Sequence, residues 1–231
     1  MTWILDCWRS SIGSKITMAV TGILLFSFVV GHLIGNLQLF SGADKINAYA
    51  HMLQGLGPLL WLVRLGLLSI FVLHVVTGVR LARANRLARP VAYSKEATIQ
   101  ASFASRSMVL TGLSLLAFVV YHLLHFTIGV TNPEHMGHTA ILNGHEVHDV
   151  YAMVTQSFGV PVIAIAYAAF QVVLFFHLSH GIQSFAHTVG LHHARYTPMI
   201  KKLSFLFAAI VAGGNILLAL SVLLGLVKGV A

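Results

Sequence analysis

Six histidines fall where a polar ring is costly to place. His32, His74, His122, His125, His177 and His180 all lie inside long apolar runs of a 231-residue chain that carries 14 histidines in total. An ionisable side chain in such a run marks a functional site by default. The first four runs hold at least one each and the fifth holds none. Four helices giving one imidazole apiece make two bis-histidine sites in a bundle. Depth sorts the pairs. His32 and His122 each lie about eight residues before the outer end of their runs, roughly 12 Å at the helical rise. His74 and His177 lie about eight or nine residues before the inner ends of theirs. The reading is therefore His32 with His122 and His74 with His177, in two layers roughly 10 Å apart within a ~30 Å hydrocarbon core. That separation permits fast electron tunnelling between two metal centres.

His125 and His180 each follow a neighbour by three residues and compete for the same helical face. An internal repeat favours His122 and His177, with the roles of His125 and His180 left open. Met18-x-x-Thr21-Gly22 recurs as Met108-x-x-Thr111-Gly112, and the same offset carries His32 onto His122. His74–Gly78 recurs as His177–Gly181, which carries His74 onto His177. His125 also has a glycine four residues on, Gly129, so that spacing alone does not discriminate.

Zinc calls for three or four clustered ligands. The acids Asp6, Asp44, Glu96, Glu134, Glu146 and Asp149 all lie in terminal or connecting segments. Two imidazoles suffice for haem, whose apolar edges fill a bundle, and Gly31, Gly35, Gly78 and Gly181 leave room for it. Iron with both axial positions filled by histidine has no open site and carries electrons. Cys7 is the only cysteine, and no CxxCH occurs, so covalent c-type haem and a cysteine-ligated cluster are excluded. Propionate partners for the inner haem are Arg9, Ser14, Lys15, Arg80 and Arg106, with His180 one turn inward of His177.

The elements that must hold these residues follow from composition. The chain is 57% hydrophobic and 9% charged, with mean hydropathy +0.84. A soluble domain is about 25% charged. A soluble enzyme, a disordered chain and a secreted disulfide scaffold are thereby excluded. Five runs, about 16–40, 58–82, 107–130, 160–186 and 203–227, are long enough to cross a bilayer. Backbone groups in lipid must pair internally, so the fold class is all-α, an integral membrane bundle of five transmembrane helices. The first run lacks a cleavage pattern and is read as a retained span.

The net charge of +8 concerns orientation rather than nucleic acid. Arg9, Lys15, Arg80, Arg83, Arg86, Arg89, Lys95, Arg106, Arg195, Lys201 and Lys202 fall on one side, against Lys45, Arg64 and Lys228 on the other. The positive-inside rule puts the N-terminus in the cytoplasm and the C-terminus outside. The long outer loop, 131–159, has no Lys or Arg but holds His135, His138, His145 and His148 at H-x-x-H spacing. It is read as a solvated loop, with zinc binding the less favoured alternative.

The order MAVTG…His32-L-x-G-N, N-A-Y-A-His51, His74-V-V-T-G, Tyr121-His122 and Phe176-His177…Gly181-Ile-Gln-Ser-Phe-Ala resembles the dihaem cytochrome b558-type membrane anchor of succinate:menaquinone oxidoreductases and quinol:fumarate reductases. The resemblance covers essentially the whole chain. It implies two b haems on His32, His74, His122 and His177, matching the ligands reached from depth. It implies a flavoprotein (FAD) subunit and an iron–sulfur subunit docked on the cytoplasmic face of a bacterial inner membrane. Dicarboxylate chemistry would belong to those partners, and this chain would relay electrons to menaquinone or another quinone.

The resemblance also implies a quinone site near the outer haem, where the candidates are Asn36, Gln38, His51, Gln54, Trp61 and Arg64. Some fumarate-reductase-type members carry an acid two residues before the fourth ligand; here that residue is Phe175, which favours the succinate-oxidising direction. The alternatives are the cytochrome b of another membrane dehydrogenase, such as a hydrogenase or formate dehydrogenase, and a colourless transporter whose histidines move protons or metal.

Overall fold

The computed structural model describes residues 10–88, 91 and 101–229. Helix α1 (Ser11–Asn36) starts where Ser10, in extended conformation, accepts the Gly13 N–H at 3.0 Å on its Oγ. It tightens into a 3₁₀ turn, Leu37–Ser41, and stops at Gly42, whose φ of 96° suits glycine. A short helix α2 (Ala43–Gln54) follows. Pro58 opens α3 (Pro58–Leu87) at its first turn, where a missing N–H is harmless. A single turn α4 (Phe103–Arg106) precedes α5 (Met108–Leu123). The fifth helix widens into a π turn, Leu124–Ile128, closed by left-handed Gly129. Then come a 3₁₀ turn at Pro133–His135 and strands β1 (Thr139–Leu142) and β2 (His145–His148). The last helices are α6 (Val150–Gly159), α7 (Pro161–Thr188) and α8 (Thr197–Leu223).

Among the described residues five helical stretches are long and apolar enough to cross a membrane: Ser11–Ser41, Pro58–Leu87, Met108–Ile128, Pro161–Thr188 and Thr197–Leu223. They overlie the five expected runs. The last begins six residues before the expected 203 because helix, unlike hydropathy, continues through Lys201 and Lys202. Leu62, Leu110, Val162 and Leu217 are exposed on these spans, as lipid-facing side chains must be.

The all-α expectation is corrected in one place. The 131–159 connection contains an antiparallel hairpin, with Thr139 opposite His148 and Leu142 opposite His145. Its two-residue turn, Asn143-Gly144, has φ of 52° and 82°, the positive pair that a type I′ turn requires. The same connection contains α6. Asp149 caps α6 by accepting the Ala152 N–H at 2.9 Å, and the same oxygen accepts from Asn47 Nδ2 on α2 at 2.9 Å. Asn47 Oδ1 in turn accepts the Tyr151 N–H at 3.0 Å. Both side chains are buried, so this network locks α2 to α6 as a roof on the bundle.

The core clusters beneath that roof, around Leu33, Leu39, Tyr151, Phe158, Tyr167 and Leu218. Along the shaft α7 and α8 pack most extensively. Ala164, Ser204, Ala208 and Ala212 are buried there, small residues of the kind that let membrane helices approach closely.

Candidate cofactor site

The helix directions follow from contacts. Met18 of α1 meets Gly78 of α3, and Thr21 meets His74, so numbers rise on one helix as they fall on the other. Thr111 of α5 meets His177 of α7, while His122 of α5 meets Tyr167 of α7. With His32 of α1 meeting His122 of α5, and Phe175 of α7 meeting Phe205 in the first half of α8, the starts of α1, α5 and α8 share an end with the finishes of α3 and α7. That end carries Lys15, Arg83, Arg86, Lys201 and Lys202, and it is called the basic end below.

A cavity of about 2020 Å³ runs between the helices from this end to the far one. It is about twice the upper size of a pocket for a single drug-sized ligand. His32, His74, His122, His177 and His180 line it.

At the far-end level the rings of His32 and His122 stand 5.8 Å apart, centroid to centroid, with planes at 86°. Two imidazoles sharing one metal at bonds of about 2 Å stand roughly 6 Å apart on the same measure. Phe28 stacks on His32, and Phe118, Phe126 and Tyr167 surround His122. At the basic-end level His74 and His177 line the same cavity. Each is seated on the neighbouring helix. Thr21 Oγ donates to the Thr17 carbonyl at 2.7 Å and meets His74 Nδ1 at 2.9 Å. Thr111 Oγ donates to the Ser107 carbonyl at 3.0 Å and meets His177 Nδ1 at 3.3 Å.

The walls suit a flat, apolar group. Gly22, Gly31, Gly78, Gly112 and Gly181 line the cavity. A Cβ at Gly31 or Gly181 would meet nothing within 4 Å and would stand in the cavity itself. Gly35, read above as making room, has another use. A Cβ there would come within 2.6 Å of the Tyr49 ring, so this glycine admits α2 rather than a cofactor. Two facing imidazoles per level, apolar walls and no carboxylate among the lining residues fit bis-histidine haem.

Three of the expected propionate partners lie off the cavity wall: Ser14 is buried, Arg80 half-buried and Arg106 exposed. Lys15 and His180 line the wall. Arg9 lies outside the described residues. Of the quinone candidates, Asn36, Trp61 and Arg64 line the far end, with the Arg64 guanidinium 5.1 Å over the Trp61 ring. Gln38, His51 and Gln54 are off the wall. Helix α2 instead presents Tyr49 and Leu53, four residues apart and so on one face.

His125 is set apart from His122. It is 1% exposed, its Nδ1 lies 2.9 Å from the Tyr167 hydroxyl, and it is off the cavity wall. The π turn begins between the two histidines, which changes the angular step that a regular helix would give them.

The loop histidines disperse. His135 Nδ1 meets Ser157 Oγ at 3.1 Å, and His138 Nε2 meets Gln156 Oε1 at 2.8 Å. Among the described residues no three His, Cys, Asp or Glu side chains gather as a metal site. Nearby Glu134 is held below the usual carboxylate range, first by a backbone hydrogen bond and then by the Asn132 amide.

Three further residues belong to the site. Thr21 and Thr111 stand in the sequence only as repeat markers. Gln171 is buried on the cavity wall with no hydrogen bond to Oε1 among the described residues, and a lone glutamine in an apolar run gave no signal. No family model matches the chain, and neither a curated protein nor a solved structure matches it.

Proposed function

We propose that this chain is the dihaem cytochrome b anchor of a succinate dehydrogenase or fumarate reductase complex in a bacterial inner membrane. His74 and His177 would hold the inner haem, and His32 and His122 the outer one. The observation that carries the reading is the pair of histidine couples at two levels of one cavity, each couple drawn from opposite helices. Held by these histidines, the haems would supply one-electron transfer.

The chain's own residues do the rest. Apolar walls exclude water, and Lys15 and His180 offer charge or hydrogen bonds to carboxylates at the basic end. At the far end Asn36, Trp61 and Arg64, with Tyr49 beside them, form a polar and aromatic rim suited to a quinone headgroup. A basic face of this kind supports docking of the flavoprotein and iron–sulfur partners on the cytoplasmic side. Phe175 packs against Phe176 and Phe205 where an acid would serve proton transfer, which supports the succinate-oxidising direction.

The test is a dithionite-reduced minus oxidised spectrum of the complex purified from its native membrane, with haem counted per chain. The reading expects a low-spin b-type band, two haems per chain and a co-purifying succinate dehydrogenase. A colourless protein would overturn it. Haem accompanied by a different dehydrogenase would overturn the succinate assignment.

A further inference from the structure

The basic-end pair is built differently from the far-end pair, and the difference lies in the ring nitrogen that faces away from a ligated metal. A threonine hydroxyl has one proton. In Thr21 it goes to the Thr17 carbonyl at 2.7 Å, so the lone pair left over accepts from His74 Nδ1–H at 2.9 Å. Thr111 repeats the arrangement, giving its proton to Ser107 and accepting from His177 Nδ1–H. This is the assignment of protons in which every group is used.

The residue after each threonine completes the seat. A Cβ on Gly22 would lie 3.4 Å from His74 Cε1 and 3.9 Å from Nδ1; a Cβ on Gly112 would lie 3.4 Å and 3.9 Å from the same atoms of His177. One Thr-Gly dipeptide thus meets each ring, the threonine as acceptor and the glycine as the contact beside it, twice. At the other level His122 Nδ1 is buried and has no hydrogen-bond partner among the described residues.

We propose that Thr21 and Thr111 are positioning residues for the inner haem: each fixes its histidine as the Nδ1–H tautomer with Nε2 free for iron, and the two together make the inner site electronically distinct from the outer. The proposal rests on the dihaem reading. A hydrogen bond donated from Nδ1 raises the basicity of Nε2 and orients the ring. A more basic ligand favours ferric over ferrous iron, so the two threonines hold the inner potential down. Outer-shell partners of this kind are typically worth 10–100-fold in metal affinity.

The experiment compares Thr21→Val, Thr111→Val and the matching serine variants in the intact complex. The inner haem's signals are assigned by their loss in His74→Ala. Each valine variant is expected to raise the inner haem's midpoint potential, shift its low-spin EPR signature and weaken its retention by about 10–100-fold. The outer haem should be unmoved, and serine should restore all three. Thr21→Ala and Thr111→Ala remove the same hydroxyl without adding bulk against the ring, and should raise the potential and shift the EPR signature likewise. They serve if a valine variant fails to assemble. Unchanged inner potential and EPR signature in both valine variants, with two haems present, would overturn the proposal. Absence of haem from the unsubstituted chain would instead sink the reading on which it rests.

Discussion

His74 and His177 each lean on a threonine, whereas His122 keeps a buried Nδ1 that no described residue satisfies. On the dihaem reading, replacing either member of a pair would leave its partner without a second ligand, so His74→Ala or His177→Ala should remove one haem per chain and spare the other. Pyridine haemochrome quantitation checks this, and loss of both haems or neither would count against the pairing. His125→Leu should keep both haems, because that ring is spent on Tyr167 and lies off the cavity wall. The same quantitation applies. These positions were legible because depth along a helix is a matter of counting. The threonines were half-legible. Their recurrence at a fixed offset was visible, but a hydroxyl four residues past a backbone carbonyl normally bonds only within its own helix. That it also meets a ring on the next helix is a property of packing.

Helices α2 and α6 show where element-level reading stops. Among the quinone candidates, His51 and Gln54 lie one turn apart and so share a helix face. Neighbouring Tyr49 and Leu53, four residues apart rather than three, also share a face and are the pair that lines the cavity. The phase of a short amphipathic helix is set by what it packs on, here Gly35 against Tyr49, and no local pattern contains that. The hairpin is legible in Asn143-Gly144, a turn signal that follows Ile141-Leu142.

The roof built by these elements depends on Asp149, whose one oxygen accepts from both Asn47 and the Ala152 N–H. Asp149→Ala should cost about 2 kcal/mol, the sum of a lost cap and a stranded buried donor. It should appear as a lower midpoint of thermal unfolding in detergent. Asn47→Ala in the same background should add less than it does alone, because the two share one network.

On the scale of the whole molecule, charge asymmetry predicts which end faces the cytoplasm. In a Cys7→Ser background, cysteine at Glu146 should react with an impermeant maleimide on intact cells, and cysteine at Arg195 only after lysis. The reverse pattern would invert the orientation. The five spans were legible from hydropathy because lipid imposes a single length and polarity on every one of them.

The repeat has a consequence for symmetry. Spans α1 and α5 run the same way and carry equivalent Thr-Gly seats, and α3 and α7 run the opposite way with equivalent histidines. The operation that carries the first two spans onto the next two therefore exchanges His32 with His122 and His74 with His177, so both couples straddle one pseudo-twofold axis along the bundle. A protein of only two such helices, associating as a closed dimer, would already possess both couples, each made of one histidine and its own copy. The fifth span, which has no counterpart in the repeat and packs against α7, is then what makes the two halves of a single chain distinguishable, and with them the two faces that a docking subunit or a quinone would meet.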